Sequence, residues 1–327
     1  MRNRFRRLTA VLIAVAAVLL CCLPSPSNLA LPTLQPWPFP PFSLSAFQPS
    51  SPSGVERVLL VGVDGLSPEG IRRAGTPNLD RLKATGSWTF HARGVIPTLS
   101  SPNWASMISG AGPERHGVTS NDWQPDRPDV PPVATGIDRI FPTIVGELRR
   151  ARADAAIGVF HDWDGFGRLV ERGAATIVEH DNGPSLTVER ARAFLARRPT
   201  LLLVHLDHVD HAGHDHGWLS PQYLAAVREA DRLIGELVAA FRAENLWDRT
   251  ALIVSADHGG VGTKHGGLSL AELEIPWIAA GAGIAQRGEL RSPVSITDTA
   301  ATIAVLLGLA PHPAWTGRPV LEALLPR

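Results

Sequence analysis

The sequence predicts an α/β domain over residues 54–327, a doubly wound, mostly parallel sheet with helices on both faces. Three observations predict it. Short, nearly unbroken apolar runs recur along the chain, as expected of strands buried on both faces of a parallel sheet. Helical patterns lie between them, which implies right-handed crossovers. Three of the runs lead directly into Asp or His, and an open α/β sheet binds its ligand beyond the carboxyl ends of its strands.

Ahead of the domain, Arg2, Arg4, Arg6 and Arg7 precede an apolar stretch, Leu8 to Leu23, broken only by Thr9, Cys21 and Cys22. A basic start followed by such a run predicts that residues 1–23 are a signal peptide or an N-terminal membrane anchor. The run falls just short of the roughly 18 to 20 apolar residues that span a bilayer comfortably. Residues 24–53 are dense in Pro and Ser without helical period, which describes an extended, semi-rigid linker. The expected location is therefore extracytoplasmic, either secreted or membrane-anchored through the N-terminal segment.

The 31 basic and 31 acidic residues balance overall, but the four leader arginines leave 27 against 31, or −4, for the rest. A slightly acidic domain without basic runs excludes a nucleic-acid-binding surface, which must neutralise phosphates. At 44% hydrophobic and 19% charged residues, the domain can bury an ordinary enzyme-sized core. Both cysteines lie in the leader, so a metal site in the domain must use His and carboxylates.

Val58–Val63 is the first apolar run, and Asp64-Gly65 follows it. In Pro97-Thr98-Leu99-Ser100-Ser101-Pro102-Asn103-Trp104, Ser101 can cap and Pro102 can open a helix. Ser100 is thereby expected just outside a helix N-terminus, where partial positive charge favours an alkoxide or a bound phosphate. Ala155–Val159 is a weaker strand. Leu201–Val204 leads into a segment holding five histidines between His205 and His216. Ser220-Pro221 starts the clearest helix, with Leu224, Val227, Ile234, Leu237, Val238 and Phe241 at three- and four-residue spacing. Ala251–Val254 leads into Asp257-His258-Gly259-Gly260. A single Asp-Gly or Ser-Pro is ordinary turn chemistry; the histidine-rich segment beside a buried strand is what turns the set into a metal-site expectation. Trp104 and Trp123 flank the serine motif and are read as packing.

Taken together, these residues resemble the alkaline phosphatase superfamily, specifically its type I phosphodiesterase/nucleotide pyrophosphatase branch, from Val58 to about Leu309. The resemblance implies two divalent metal ions, Zn2+ in first place and Mn2+ as the alternative. One would be held by Asp64, Ser100, Asp257 and His258. The other would be held by Asp210 and His214, from Asp210-His211-Ala212-Gly213-His214, and by His265. Asp207 with His211 is the weaker register for that pair, and His312 the poorer choice for the last ligand. Asn121, following Pro113-Glu114-Arg115-His116-Gly117-Val118, looks like the amide that binds a phosphoryl oxygen. Ile296 to Leu309 resembles the closing segment and is read as structural.

The implied activity is hydrolysis of a small-molecule phosphate ester, diester or monoester, with Ser100 as nucleophile and a phosphoseryl intermediate. The chain departs from the pattern in three places. Ser100 stands where nucleotide-hydrolysing members usually have Thr, Trp104 stands where they have His, and less chain precedes the last His ligand. Sulfatase or phosphonate hydrolase activity, or a non-catalytic metal-binding role, is the alternative. Ser100-Ser101-Pro102-Asn103-Trp104 lacks the Arg that a sulfatase motif carries after x-Pro-x.

Overall fold

A computed structural model describes residues 54–326. The expected signal peptide or anchor and the Pro/Ser-rich linker lie outside the described residues. Among the described residues no helix is long and apolar enough to cross a membrane.

Eight strands form one sheet: β1 (Arg57–Val63), β2 (Ser87–Arg93), β3 (Ile157–His161), β4 (Ile177–His180), β5 (Leu201–Leu206), β6 (Thr250–Ser255), β7 (Glu274–Gly281) and β8 (Gly288–Glu289). Their order is β4-β3-β5-β1-β6-β7-β2-β8. Only the pairs that β7 makes with β6 and β2 are antiparallel; the others are parallel. β1, β5 and β6 are buried at every position, which is why they read as continuous apolar runs rather than as alternations.

The main helices are α1 (Pro68–Ala74), α2 (Pro77–Thr85), α3 (Ser100–Ser109), α4 (Ile144–Ala151), α5 (Pro184–Ala193), α6 (His208–His216), α7 (Pro221–Ala243) and α8 (Asp298–Leu306). They form two layers. α1, α2, α5 and α6 pack against α7, while α3 and α4 pack against α8. α7 begins as expected, with Ser220 Oγ accepting from the Tyr223 N–H and Pro221 in its first turn.

Two local expectations are corrected. The third strand runs Ile157–His161 rather than Ala155–Val159, because pairing with β5 begins at Ile157 opposite Leu201. α3 starts at Ser100, with Leu99 at the cap position, so Ser101 does not cap it. The Asn103 N–H already donates to the Leu99 carbonyl at 3.2 Å, which brings Ser100 into the first turn.

β1 sits at the switch point of the sheet, with β5 on one side and β6 on the other. The loops leaving these three strands therefore open onto a common crevice. Gly62 in β1 carries no Cβ for a concrete reason: a Cβ there would lie 2.5 Å from the Trp104 ring. The indole of α3 is thus laid directly against the central strand.

Candidate active site

Asp64 leaves the end of β1 and is fully buried. Its Oδ2 accepts from Trp104 Nε1 at 2.8 Å and lies 3.2 Å from His205 Nε2. Its Oδ1 has no hydrogen-bond partner among the described residues. Asp257, just past β6, repeats the arrangement. One oxygen, Oδ1, accepts from the Gly65 N–H at 3.1 Å, and the other, Oδ2, has no hydrogen-bond partner among the described residues. His258 Nε2 lies 3.1 Å from Asp257 Oδ2, 3.4 Å from Asp64 Oδ1 and 3.2 Å from Ser100 Oγ. Asp64, Ser100, Asp257 and His258 therefore meet at one point.

The second group comes from α6 and the loop after β6. His214 Nε2 lies 3.2 Å from Asp210 Oδ2, and His265 Nε2 lies 3.8 Å from Asp210 Oδ1 and 3.1 Å from His214 Nε2. Asp210 and His214 stand four residues apart on α6, which places them on one face. The Asp210 Oδ1 atom is buried and without a hydrogen-bond partner among the described residues. The rings of His258 and His265 stack at 3.7 Å with an angle of 14°, which joins the two groups.

The imidazoles are oriented by what lies behind them. His258 Nδ1 faces the Gly259 carbonyl at 2.9 Å, His214 Nδ1 that of Thr263 at 2.9 Å, and His265 Nδ1 that of Thr98 at 2.8 Å. A carbonyl only accepts, so Nδ1 carries the proton in each ring and the Nε2 lone pairs point inward. Two imidazole nitrogens 3.1 Å apart face three buried carboxylate oxygens that lack partners among the described residues, and those oxygens are uncompensated. A cation would compensate them, and His and Asp donors with carbonyl-fixed tautomers are a donor set suited to a divalent ion such as zinc. The residues present fit a two-metal centre.

The electrostatics point the same way. Burial and the neighbouring Asp257 charge hold the Asp64 carboxyl well above its usual range, and burial with the Asp210 charge does the same to Asp257. Burial pushes His265 down to about 4, and also lowers His258. Asp210 goes the other way: burial would raise it, but the His214 contact and the charges of His258 and His265 bring it below the usual range. The Asp210 contact in turn raises His214.

Asn121 sits behind the serine. Its Oδ1 accepts from the Ser101 N–H at 2.8 Å, so its acceptor is occupied while Nδ2 donates to no protein group among the described residues. This alters the expected role of the helix end. The Ser101 N–H is taken by Asn121, Pro102 has none, and the Asn103 N–H is bonded to Leu99, so the first turn of α3 offers fewer free amides than a bare helix N-terminus. Asn103 instead anchors the approach to Ser100, accepting from the Val95 N–H at 2.7 Å and donating to the carbonyls of Pro97 and Leu99 at 3.0 and 2.9 Å.

The weaker candidates fall outside the two groups or on their margin. Asp207 comes close to Asp64 and Asp210, but one of its oxygens is engaged by the exposed His211 Nε2 at 2.6 Å. His312 is elsewhere, accepting from the Ala314 N–H at Nδ1.

Sequence reasoning missed the layer behind Asp64. His205 is fully buried between Asp64 and Asp162. At 3.7 Å, Asp162 Oδ1 acts on His205 Nδ1 as a charge rather than through a hydrogen bond. Burial opposes a charged His205, but the two carboxylates outweigh it and raise the imidazole to about 9. Trp104, read as packing, is also a donor to Asp64. The available signal was the strand alignment, since His205 stands directly across from Gly62, two residues before Asp64.

The model of the type I phosphodiesterase/nucleotide pyrophosphatase family matches residues 58–275. Human ectonucleotide pyrophosphatase/phosphodiesterase family member 1 is 27% identical over 227 residues, covering 65% of this chain and 24% of its own length. The venom phosphodiesterase of Macrovipera lebetinus is 26% identical over 235 residues, covering 64% and 26%. This chain thus spans about a quarter of the length of these relatives. Among solved structures, murine ectonucleotide pyrophosphatase/phosphodiesterase 5, as an inactive variant in complex with AMP, superposes with a TM-score of 0.65 at 16% identity, over 83% of this chain and 100% of that one. Wild-type alkaline phosphatase PafA gives 0.70 at 12% identity, over 83% and 99%. These structures share the fold, and the family match takes in Asp64, Ser100, Asn121, Asp210, His214, Asp257, His258 and His265. The chain is accordingly a member of the type I phosphodiesterase/nucleotide pyrophosphatase family.

Proposed function

We propose that this protein is an extracytoplasmic, metal-dependent phosphoric ester hydrolase that uses Ser100 as its nucleophile, with phosphodiesters the substrate class favoured by its family. The observation that carries the reading is the convergence of Asp64, Asp257 and His258 on Ser100, next to Asp210, His214 and His265, with a buried carboxylate oxygen left without a partner on each of the three acids. Asp64, Ser100, Asp257 and His258 would hold one divalent ion, and Asp210, His214 and His265 the other; Zn2+ suits both donor sets. Two such ions would supply Lewis-acid stabilisation of the anionic oxygens of the substrate.

The residues of the chain account for the rest. Asn103 and the Thr98 contacts fix the loop that presents Ser100, so the hydroxyl is positioned before substrate arrives. The Ser100 hydroxyl loses its proton to solvent, Oγ forms a bond to phosphorus and the ester oxygen departs in line with the bonding pair, giving a phosphoseryl enzyme. Water then cleaves that bond and restores the hydroxyl. Asn121 Nδ2 donates to a non-bridging oxygen, with its amide fixed by the Ser101 N–H. His258 Nε2 stands 3.2 Å from Ser100 Oγ, where its lone pair and the serine oxygen would both face the same ion. Trp104 at the position of a sulfatase arginine serves Asp64 instead, which disfavours sulfate ester chemistry.

The test is kcat/KM for bis(p-nitrophenyl) phosphate and for p-nitrophenyl phosphate, using the zinc-loaded protein and Ser100→Ala. A diester preference abolished by Ser100→Ala, with metal content unchanged, is expected. Full turnover in Ser100→Ala refutes the nucleophile, and inactivity of the metal-loaded wild type on both esters refutes the hydrolase.

A further inference from the structure

A second polar cavity lies beside the catalytic crevice. It has a volume of about 650 Å³ and sits beyond the carboxyl ends of β3 and β4, with Arg168, Arg172, His161, His180, Asp138 and Asp164 in its wall. β3 stands two places from β1 in the sheet. At about 4.8 Å per strand, its end is on the order of 10 Å from that of β1. The cavity also touches the nucleophile's own surroundings, because Arg168 Nη2 donates to the backbone carbonyl of Asn121.

Its guanidinium groups are bonded to backbone carbonyls but to no acid among the described residues, Arg168 Nη2 donating to Asn121 and Arg172 Nη2 to Val178 at 3.4 Å. Neither Arg168 nor Arg172 meets a carboxylate at salt-bridge distance among the described residues. Arg168 is held instead over the Trp163 ring at 5.9 Å, and its buried Nε has no acceptor. The two acids are engaged otherwise: Asp138 accepts from the Gly173 N–H at 2.7 Å, and the exposed Asp164 faces His180 at 4.0 Å. His161 is 1% exposed, and its Nδ1 faces the Trp163 carbonyl at 2.8 Å. Nδ1 must therefore donate, and the buried Nε2 in the cavity wall is an acceptor without a donor. Guanidinium groups lacking counter-ions suit a carboxylate or phosphate, and a lone buried imidazole acceptor suits a hydroxyl.

We infer that this cavity is a subsite for the organic part of the substrate, and that it selects a hydroxyl-bearing group carrying a second anionic function, a carboxylate or a phosphate. Arg172 pairs with the anion, Arg168 links that contact to Asn121, and His161 accepts from a hydroxyl. The inference rests on the hydrolase reading above only for the placement of the first phosphate.

The test compares 6-phosphogluconate with sorbitol 6-phosphate, which differ at one end by carboxylate against hydroxymethyl. Each is measured as a competitive inhibitor of bis(p-nitrophenyl) phosphate hydrolysis by the zinc-loaded full chain and by Arg172→Met. In the wild type the carboxylate ligand is expected to bind about tenfold more tightly or better, as for a charge-assisted hydrogen bond. In Arg172→Met that preference collapses towards one, while the sorbitol 6-phosphate constant and the turnover of the diester stay unchanged. Equal binding of the two ligands to the wild type overturns the inference, as does a preference that survives in Arg172→Met. If the protein turns over no ester, titration calorimetry of both ligands on both proteins gives the same comparison, so loss of the hydrolase reading and loss of the subsite are separately visible.

Discussion

The bond from Trp104 Nε1 to Asp64 Oδ2 makes a specific demand on metal affinity. Trp104→Phe keeps an aromatic ring against Gly62 and removes the donor, leaving the carboxylate with His205 as its remaining partner on that oxygen. A hydrogen bond to a charged group contributes about 1.5–3 kcal/mol, so unfolding free energy should fall within that range. The larger consequence concerns orientation. With one of two outer partners gone, Asp64 Oδ1 is no longer aimed reliably at the point it shares with Asp257 and His258, and such losses weaken metal binding by about 10- to 100-fold. Competition for Zn2+ against a chelator of known affinity measures this directly, with urea unfolding as the stability control. Gly62→Ala provides a second route to the same state, since a Cβ 2.5 Å from the indole displaces it without touching the donor chemistry. Wild-type zinc affinity in Trp104→Phe, at any stability, refutes the claim that the indole orients Asp64.

Two further predictions follow from other residues. Asn121→Ala should lower kcat by about 10²- to 10³-fold in steady-state assays at unchanged zinc content, the size expected for one donor to a developing oxyanion; a fall below about threefold refutes the assignment. His116 is buried against Ser106 Oγ at 2.9 Å, and burial pushes it down from 6.5 to about 3. It stays neutral in the fold and binds a proton in the unfolded chain, so its contribution is intact above pH 6.5 and is lost as pH falls towards about 3, with a slope of up to about 1.4 kcal/mol per unit. Urea unfolding between pH 4 and 7 should show a shallower slope in His116→Gln than in the wild type, and parallel slopes count against it.

The strands that build the crevice were legible because burial on both faces makes β1, β5 and β6 continuous apolar runs, and because their next residues carry the chemistry. The other half of the sheet was not. β2 buries Ser87 and Thr89 and exposes His91, so it shows neither a run nor a clean alternation. β7 holds Pro276, which argues against a strand in sequence reading; the pairing tolerates it because the β2 register shifts between Thr89 opposite Trp277 and Ala92 opposite Ile275. The groups contacting the metals in the family pattern lie in short motifs and could be named from them. His205 and Asp162 act behind Asp64 through contacts that only the alignment of β1, β3 and β5 creates, and Trp104 through the packing of α3 against β1. The Ser101 cap failed for a similar reason, since the first turn of α3 is set by Leu99 and Asn121 rather than by the Ser-Pro pair itself.

The Gly65 backbone carries one further implication. Its N–H donates to Asp257 across 192 residues of sequence, and its carbonyl accepts from Trp218 and Tyr223 across 153 and 158. No local segment can form this joint, so the residue beside Asp64 takes its native place only when both halves of the chain have docked. Contacts of such long range slow folding and concentrate near its end. The group around Asp64 should therefore be among the last parts of the molecule to assemble, so that a metal bound there would arrive after the sheet has closed rather than act as a folding nucleus.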